Sequence, residues 1–151
     1  MIIAQHTLET TALPEAIWAL WSGVSGYKEW DGAIEWAKLN GEFKVGARGK
    51  LKTRGGRAAA FTITELIEGR SFSYLTLLPF GRLRVQHSLE PTDMGTRLTS
   101  RIGVEGPLAW VWARILGPAI QANLPVAIRK LARLAEQPGT FEQSGSVRVA
   151  R

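Results

Sequence analysis

Two histidines and two tyrosines are the neutral side chains of this sequence that could take part in acid–base chemistry. His87 stands in the alternating stretch RLRVQHSLEP (82–91), on the apolar parity with Val85 and Leu89. Tyr74 holds the equivalent position in SFSYLTLLP (71–79). In a half-buried strand the apolar parity faces the core. A buried imidazole could serve as a general base and a phenol could donate to an enolate oxygen, so His87 and Tyr74 are the candidate catalytic residues.

Other ionisable groups are less well placed to assist them. His6 could face inward or lie at a sheet edge, and Glu65 shares a parity with apolar residues near the end of a strand. Asp31 and Glu35 follow a tryptophan in a predicted loop. None of these groups stands at a spacing from His87 that is diagnostic of catalysis. His87 therefore remains open to three interpretations: a base, a ligand contact, or a core histidine bonded to a nearby hydroxyl.

Several classes of site have no support in the sequence. His6 and His87 are 81 positions apart and there is no cysteine, which makes a poor ligand set for a metal ion. No Walker motif, dinucleotide-binding motif or serine nucleophile elbow is present. We therefore expect neither a metal nor a cofactor. The absence of cysteine excludes disulfides and suits a reducing compartment, so we expect a cytoplasmic protein.

The net charge of +6 and the pI of about 10.2 raise the possibility of nucleic-acid binding. The basic residues are scattered, however, and no recognition motif accompanies them, so we expect no specific nucleic-acid partner. A basic surface leaves open a non-catalytic interaction or stress-response module. The longest apolar region, 106–128, contains Arg114, Pro118 and Pro125, so we expect no transmembrane segment.

Hydrophobic periodicity predicts the order of the elements. Residues 2–10 alternate like a strand, and Pro14 and Gly23 suit the start and end of a short helix. A second helical turn follows, and then six strand-like runs separated by turn residues indicate an antiparallel meander. From Leu108 to Glu136 the period becomes helical, and Pro118 and Pro125 should bend this helix or break it in two. A curved sheet wrapped around that helix would bury the apolar face of both.

This order resembles the START-like superfamily, also called the helix-grip or Bet v 1-like fold, and within it the polyketide cyclase/dehydrase and lipid-transport group. The similarity rests on ALPEAIWALWSGVSGYKEWDG, FTITELIEGRSFSY and HSLEPTDMGTRLTSRIGVEGPLAWVW, and it covers residues 3–137. It implies an α+β fold in which about seven antiparallel strands wrap around a long C-terminal helix, with two short helices after the first strand. We expect one domain, 1–137, and a flexible tail, 138–151.

The resemblance implies a hydrophobic small molecule held between the sheet and the long helix. We expect a lipid, polyketide or aromatic compound, bound by a monomer or homodimer that is a carrier rather than an enzyme. The alternative is a cyclase or dehydratase that uses His87. Strand parity, the helical stripe and, for Trp30, similarity to the family predict the ligand-binding residues: Trp30, Trp36, Phe61, Ile63, Phe72, Tyr74, Thr76, His87, Leu98, Ser100, Ile102, Trp112, Leu116 and Ile120.

Overall fold

A seven-stranded antiparallel sheet forms most of the protein in the computed structural model, which describes residues 1–137. The order across the sheet is β1-β7-β6-β5-β4-β3-β2, so consecutive strands pair as hairpins from β2 to β7 and β1 closes against the last strand. The predicted tail, 138–151, lies outside the described residues. The strands are β1 (Ile2–Thr10), β2 (Ile34–Asn40), β3 (Arg48–Thr53), β4 (Ala58–Ile67), β5 (Ser71–Leu78), β6 (Gly81–Thr92) and β7 (Gly95–Glu105).

Two α-helices and one 3-10 helix complete the fold. Helix α1 (Pro14–Ser22) has proline in its first turn, where the missing N–H costs nothing, and ends at Gly23. The 3-10 helix (Val24–Glu29) leads into β2, and α2 (Ala109–Glu136) follows β7. The predicted α+β helix-grip architecture is confirmed, including the two short helices after the first strand.

Helix α2 runs through Pro118 and Pro125 as one element of 28 residues. Of the two outcomes expected from the sequence, a bend or a break, the break does not occur. Each proline removes one helical hydrogen bond, leaving the carbonyls of Arg114 and Gln121 without their usual donor. Arg114 and Gln121 are both exposed, so water can satisfy those carbonyls. The cost of each proline is therefore small enough for tertiary packing to keep one helix.

The core is densest at one end of the sheet. There the second half of α2 contributes Leu124, Ile128 and Leu131, all buried, and α1 contributes Ile17 and Trp21. The first half of α2, from Ala109 to Ile120, has only Gly117 fully buried. The sheet and the helix are therefore packed together at one end and separated at the other.

Irregular pairing changes which residues of β2 and β4 face the helix. The register shifts between Ile34 and Trp36 in β2, and between Ile63 and Glu65 in β4. Such a bulge inserts one residue and reverses the alternation beyond it. Ala37 is consequently buried while Trp36 is only partly buried, and Glu65 is exposed.

Candidate functional site

A cavity of about 510 Å³ lies between the sheet and the first half of α2. This volume falls in the range of pockets that hold drug-sized molecules. Its walls are mostly aliphatic and aromatic, with a few polar groups. The lining residues are Tyr27, Trp30, Asp31, Gly32, Ala33, Ile34, Leu51, Thr53, Arg54, Arg57, Ala59, Tyr74, Thr76, Leu78, Leu83, Val85, His87, Ile102, Ile115, Leu116, Ala119, Ile120, Asn123, Leu124 and Ala127.

Exposure distinguishes the mouth of the cavity from its inner end. Arg54 and Arg57 in the β3–β4 turn are exposed, as are Ile115 and Ala119 on α2, so the mouth lies between this turn and the helix. The inner end is formed by buried residues, which are Tyr27, Trp30, Ile34, Tyr74, Thr76, Val85, His87, Leu124 and Ala127. A molecule entering at the mouth would meet an apolar passage that leads to a few buried polar side chains.

His87 is held at the inner end by one hydrogen bond and three aromatic rings. Its Nδ1 lies 2.6 Å from Ser100 Oγ on the paired strand β7. Its ring stacks on Trp21 at a centroid distance of 5.3 Å and contacts Phe72 and Trp30. Whichever tautomer is present, Ser100 satisfies Nδ1. The Nε2 atom therefore remains to donate or accept a hydrogen bond with a ligand.

Burial lowers the pKa of His87 to about 4, because a charged imidazolium would lose its hydration and gain no acidic partner. The ring is therefore neutral at physiological pH. A neutral imidazole can bond to a ligand oxygen, but it is a weak base. This electrostatic setting favours a positioning or binding role over proton abstraction.

Tyr74 presents the second polar group at the inner end. Burial raises the pKa of its phenol, and the nearby negative charge of Asp31 raises it further, so the hydroxyl keeps its proton. No residue among 1–137 hydrogen-bonds that hydroxyl, although the ring is buried and lines the cavity. Tyr27, by contrast, donates its hydroxyl to the carbonyl of Trp21 at 2.6 Å. Tyr74 thus offers an uncommitted donor, and Tyr27 has a structural role.

Trp30 adds a buried donor without a partner. The residue lines the cavity and is only 3% exposed, and its Nε1 makes no hydrogen bond within the described part of the chain. An unsatisfied buried N–H is costly, and such groups are uncommon in folded proteins. Trp21 Nε1 is in the same state but lies in the packed core rather than on the cavity wall. The Nε1 atoms of both tryptophans are themselves buried, so neither is exposed to a ligand in this structure.

A polar tie crosses the cavity wall between the start of β2 and helix α2. Asp31 Oδ1 accepts hydrogen bonds from Asn123 Nδ2 at 2.9 Å and from the backbone N–H of Ala33 at 3.0 Å. On the same loop, Arg54 Nε donates to the carbonyl of Gly32 at 2.8 Å. These bonds fix the loop to the helix on one side and to the β3–β4 turn on the other. They therefore set the width of the mouth.

The structure brings together half of the residues that the sequence nominated for binding. Seven line the cavity: Trp30, Tyr74, Thr76, His87, Ile102, Leu116 and Ile120. Phe61, Ile63, Phe72 and Leu98 are buried in the surrounding core, and Ser100 lies behind His87 as its hydrogen-bond partner.

Trp36 and Trp112 lie elsewhere for identifiable reasons. The bulge in β2 turns Trp36 toward solvent, where Lys38 Nζ lies 5.4 Å from its ring centroid. Trp112 Nε1 donates to the carbonyl of Pro79 at 2.8 Å and so docks the start of α2 on the β5–β6 turn. Neither tryptophan lines the cavity.

Sequence reasoning did not assign Tyr27, Arg54, Arg57 or Asn123 to the cavity wall. Asn123 had a detectable signal, since it follows Leu116 and Ile120 at helical spacing and is polar on an otherwise apolar stripe. The arginines had none, because a turn between two strands carries no periodicity. Their position depends on how far the sheet curves toward the helix.

Among residues 1–137, no three His, Asp or Glu side chains are grouped so that they could hold a metal ion. Within the same range, no helix has the length and apolar character required to cross a bilayer.

Comparison with solved structures confirms the fold. The chain is similar to protein MLL2253 from Mesorhizobium loti, with a TM-score of 0.69 and 19% identity over 86% of this chain and 93% of the other. It is also similar to DynU16, a putative protein in the dynemicin biosynthetic locus, with a TM-score of 0.67 and 14% identity over 89% of this chain and 47% of the other.

A third similar structure is the di-domain ARO/CYC StfQ from the steffimycin biosynthetic pathway. Here the TM-score is 0.69 and the identity 14%, over 97% of this chain and 53% of the other. This chain therefore spans about half of DynU16 and of StfQ.

Sequence comparison identifies the family. No curated protein sequence matches the chain. The family described as polyketide cyclase / dehydrase and lipid transport matches residues 1–136, which is nearly the whole chain and all of the sheet and helices. The chain belongs to the polyketide cyclase / dehydrase and lipid transport family.

Proposed function

We propose that this protein binds and carries a hydrophobic small molecule in the cavity between the sheet and α2. The observation that carries the proposal is the cavity itself, about 510 Å³ with walls that are mainly aliphatic and aromatic. Burial of apolar ligand surface would supply affinity, and the few polar groups would select orientation. The volume suits a fused polycyclic compound or a lipid chain.

The inner end favours a neutral, oxygen-bearing part of the ligand. His87 is uncharged, Tyr74 keeps its proton, and both lie among buried apolar rings. A ligand carbonyl or hydroxyl could bond Tyr74 Oη and His87 Nε2 without bringing an unpaired charge into the interior. A charged group would be better placed at the mouth, where Arg54 and Arg57 are exposed.

The family supports a polyketide-like or lipid ligand, and two of the similar structures are described in related terms. DynU16 is described as a putative protein in the dynemicin biosynthetic locus, and StfQ as a di-domain ARO/CYC from the steffimycin biosynthetic pathway. At 14% identity, these two structures support the fold alone. The proposal for this chain therefore rests on its own cavity. An oxygenated polycyclic aromatic compound satisfies both its apolar walls and its polar inner end.

Displacement of a fluorescent apolar probe tests this proposal. The variant Ala119→Trp places an indole at the mouth, and Ala122→Trp places the same indole on an exposed position of α2 that does not line the cavity. Ala119→Trp should weaken probe binding about tenfold or more, while Ala122→Trp leaves it unchanged. Absence of saturable binding to oxygenated polycyclics, fatty acids and polyketides would overturn the proposal.

A cyclase or dehydratase is the second candidate, because His87 and Tyr74 line the same cavity. In that reaction His87 Nε2 would remove a proton from an acidic carbon and Tyr74 would donate to the resulting enolate oxygen. The low pKa of His87 weakens this reading, since a base of pKa about 4 abstracts protons poorly. Turnover of a poly-β-keto substrate that is lost in His87→Gln, with probe binding retained, would establish the enzyme.

A further inference from the structure

Large apolar side chains are exposed around the mouth of the cavity. Phe80 at the tip of the β5–β6 turn is 74% exposed, and Trp110 in the first turn of α2 is 59% exposed. Ile115 on α2 is also 59% exposed. We call these three residues, Phe80, Trp110 and Ile115, the apolar rim.

The topology brings the apolar rim together at one end of the sheet. Strand β5 ends there at Leu78, β6 begins there, and Glu105 at the end of β7 pairs with Arg82. The backbone N–H of Leu108 donates to the carbonyl of Phe80 at 3.1 Å, which holds the turn against the start of α2. Ile115 belongs to both the apolar rim and the cavity wall. The rim therefore reaches the mouth at Ile115, and Phe80 and Trp110 lie at the same end of the sheet.

The backbone of Phe80 has a conformation that is unfavourable for phenylalanine. Its φ is +56°, in the left-handed region, where a bulky side chain is strained. It is the one non-glycine residue of the described chain with a positive φ. The ring gains little burial in return, so neither turn geometry nor core packing accounts for a phenylalanine at this position. An interaction outside the protein would account for it.

Basic residues surround the apolar rim. Arg54 and Arg57 lie in the adjacent β3–β4 turn, and Arg114 lies on α2 beside Ile115, all three exposed. Two acidic groups at this end of the sheet are paired with cations: Glu105 with Arg82 and Arg84, at 3.3 Å and 2.8 Å, and Glu35 with Lys52, at 2.6 Å. Asp31 lies in the cavity wall, where it accepts a hydrogen bond from the neutral side chain of Asn123. The exposed charge around the rim is therefore predominantly positive.

We infer that the apolar rim and its arginines dock this protein on the surface of an anionic phospholipid bilayer, with the cavity mouth against the lipid. Aromatic side chains favour the membrane interface, and arginines are attracted to anionic headgroups. The combination of protruding rings and surrounding cations fits a bilayer better than the flatter, less charged centre of a protein interface. A hydrophobic ligand could then enter from the membrane without crossing water, and this last step rests on the proposed function.

Flotation with large unilamellar vesicles tests the docking. The protein should bind vesicles of equimolar phosphatidylcholine and phosphatidylglycerol, bind phosphatidylcholine alone more weakly, and lose affinity as salt is raised. The double variant Phe80→Asn with Trp110→Ser should weaken binding about tenfold or more, because it removes both rings. Asparagine tolerates the left-handed conformation, so the turn is retained. The control is Met94, an apolar residue that is 76% exposed in the β6–β7 turn at the opposite end of the sheet. Met94→Ser should leave vesicle binding unchanged.

The arginines have their own matched control. Arg57→Gln with Arg114→Gln should weaken binding to the anionic vesicles about fivefold or more, because each arginine near the surface adds affinity. Arg129→Gln with Lys130→Gln removes the same charge from exposed positions in the second half of α2 and should have little effect.

Four outcomes would overturn the docking. The first three are the absence of vesicle binding, vesicle binding that survives loss of both rings, and a loss of vesicle binding in Met94→Ser equal to that in the double variant. The fourth is concentration-dependent dimerisation that Phe80→Asn abolishes, which would assign the rim to a second copy of the chain. Probe binding in vesicle-free solution separates the two proposals. Retained probe binding without vesicle binding refutes docking alone, whereas vesicle binding without probe binding refutes the carrier function alone.

Discussion

His87 Nδ1 and Ser100 Oγ lie 2.6 Å apart across the paired strands β6 and β7, at the inner end of the cavity. Ser100 is fully buried and His87 nearly so. The hydroxyl holds the ring by one nitrogen and leaves the other free toward the cavity. His87 is thereby held in one orientation as a neutral side chain, and its protonation would destabilise the folded protein.

The first prediction concerns pH. The pKa of His87 is about 4 in the folded protein and about 6.5 in the unfolded chain, so the unfolded chain takes up a proton first. Protonation therefore stabilises the unfolded state, and stability is lost as pH falls from about 6.5 toward 4. Between pH 7 and pH 5 this site should remove about 2 kcal/mol from the free energy of unfolding, measured with urea.

Substitution of the two histidines in turn tests that prediction, with His6 as the control. His87→Gln should remove this part of the pH dependence, whereas His6→Gln should retain it. An unchanged pH profile in His87→Gln would show that the loss of stability in acid has another source.

The second prediction concerns the hydroxyl of Ser100. Ser100→Ala leaves the buried Nδ1 of His87 without a partner and should destabilise the fold by about 1–3 kcal/mol. Thr99→Ala is the neighbouring control, because Thr99 Oγ1 bonds Thr7 Oγ1 at 3.2 Å on the exposed face. Its cost should be within about 0.5 kcal/mol. Equal urea midpoints for the two variants would contradict the role assigned to Ser100.

The third prediction concerns Tyr74 and the polarity of the ligand. Because the hydroxyl of Tyr74 bonds no described residue, Tyr74→Phe should fold normally. It should weaken binding of an oxygenated polycyclic ketone by about 2- to 10-fold, the worth of one hydrogen bond, and leave binding of the matching hydrocarbon unchanged. Calorimetric titration with anthrone and anthracene measures both. An equal loss for the two compounds would mean that Tyr74 contributes packing alone.

The fourth prediction concerns the tie between Asn123 and Asp31. Asn123→Ala removes the hydrogen bond to the carboxylate and should cost about 1–2 kcal/mol in unfolding free energy. Asn123→Asp is nearly the same size but places a second carboxylate beside Asp31, so it should cost more at neutral pH. Both variants should also release bound probe faster, because the mouth is less firmly held. If both variants have the same unfolding free energy as the unsubstituted protein, the hydrogen bond between Asn123 and Asp31 does not hold the mouth of the cavity.

Strand parity located His87, Tyr74 and Thr76 on the cavity wall, because each lies in a strand whose pairing is regular at that point. The same rule failed for Trp36, where a bulge reverses the alternation. A bulge depends on the pairing of two strands and leaves no mark in one strand's sequence. Asp31 and Asn123 are separated by 92 positions, and their hydrogen bond likewise depends on how the helix crosses the sheet.

Local chemistry in the chain therefore determined the elements, their order and the inward direction of His87. Apolar periodicity, proline at the start of α1 and glycine at the turns act over a few residues, so they can be read without the fold. The tertiary structure alone decided that His87 is neutral, that α2 stays whole, and that a cavity remains beside it. Each of these depends on burial and on the distance between the sheet and α2, which are set by all the packed elements together.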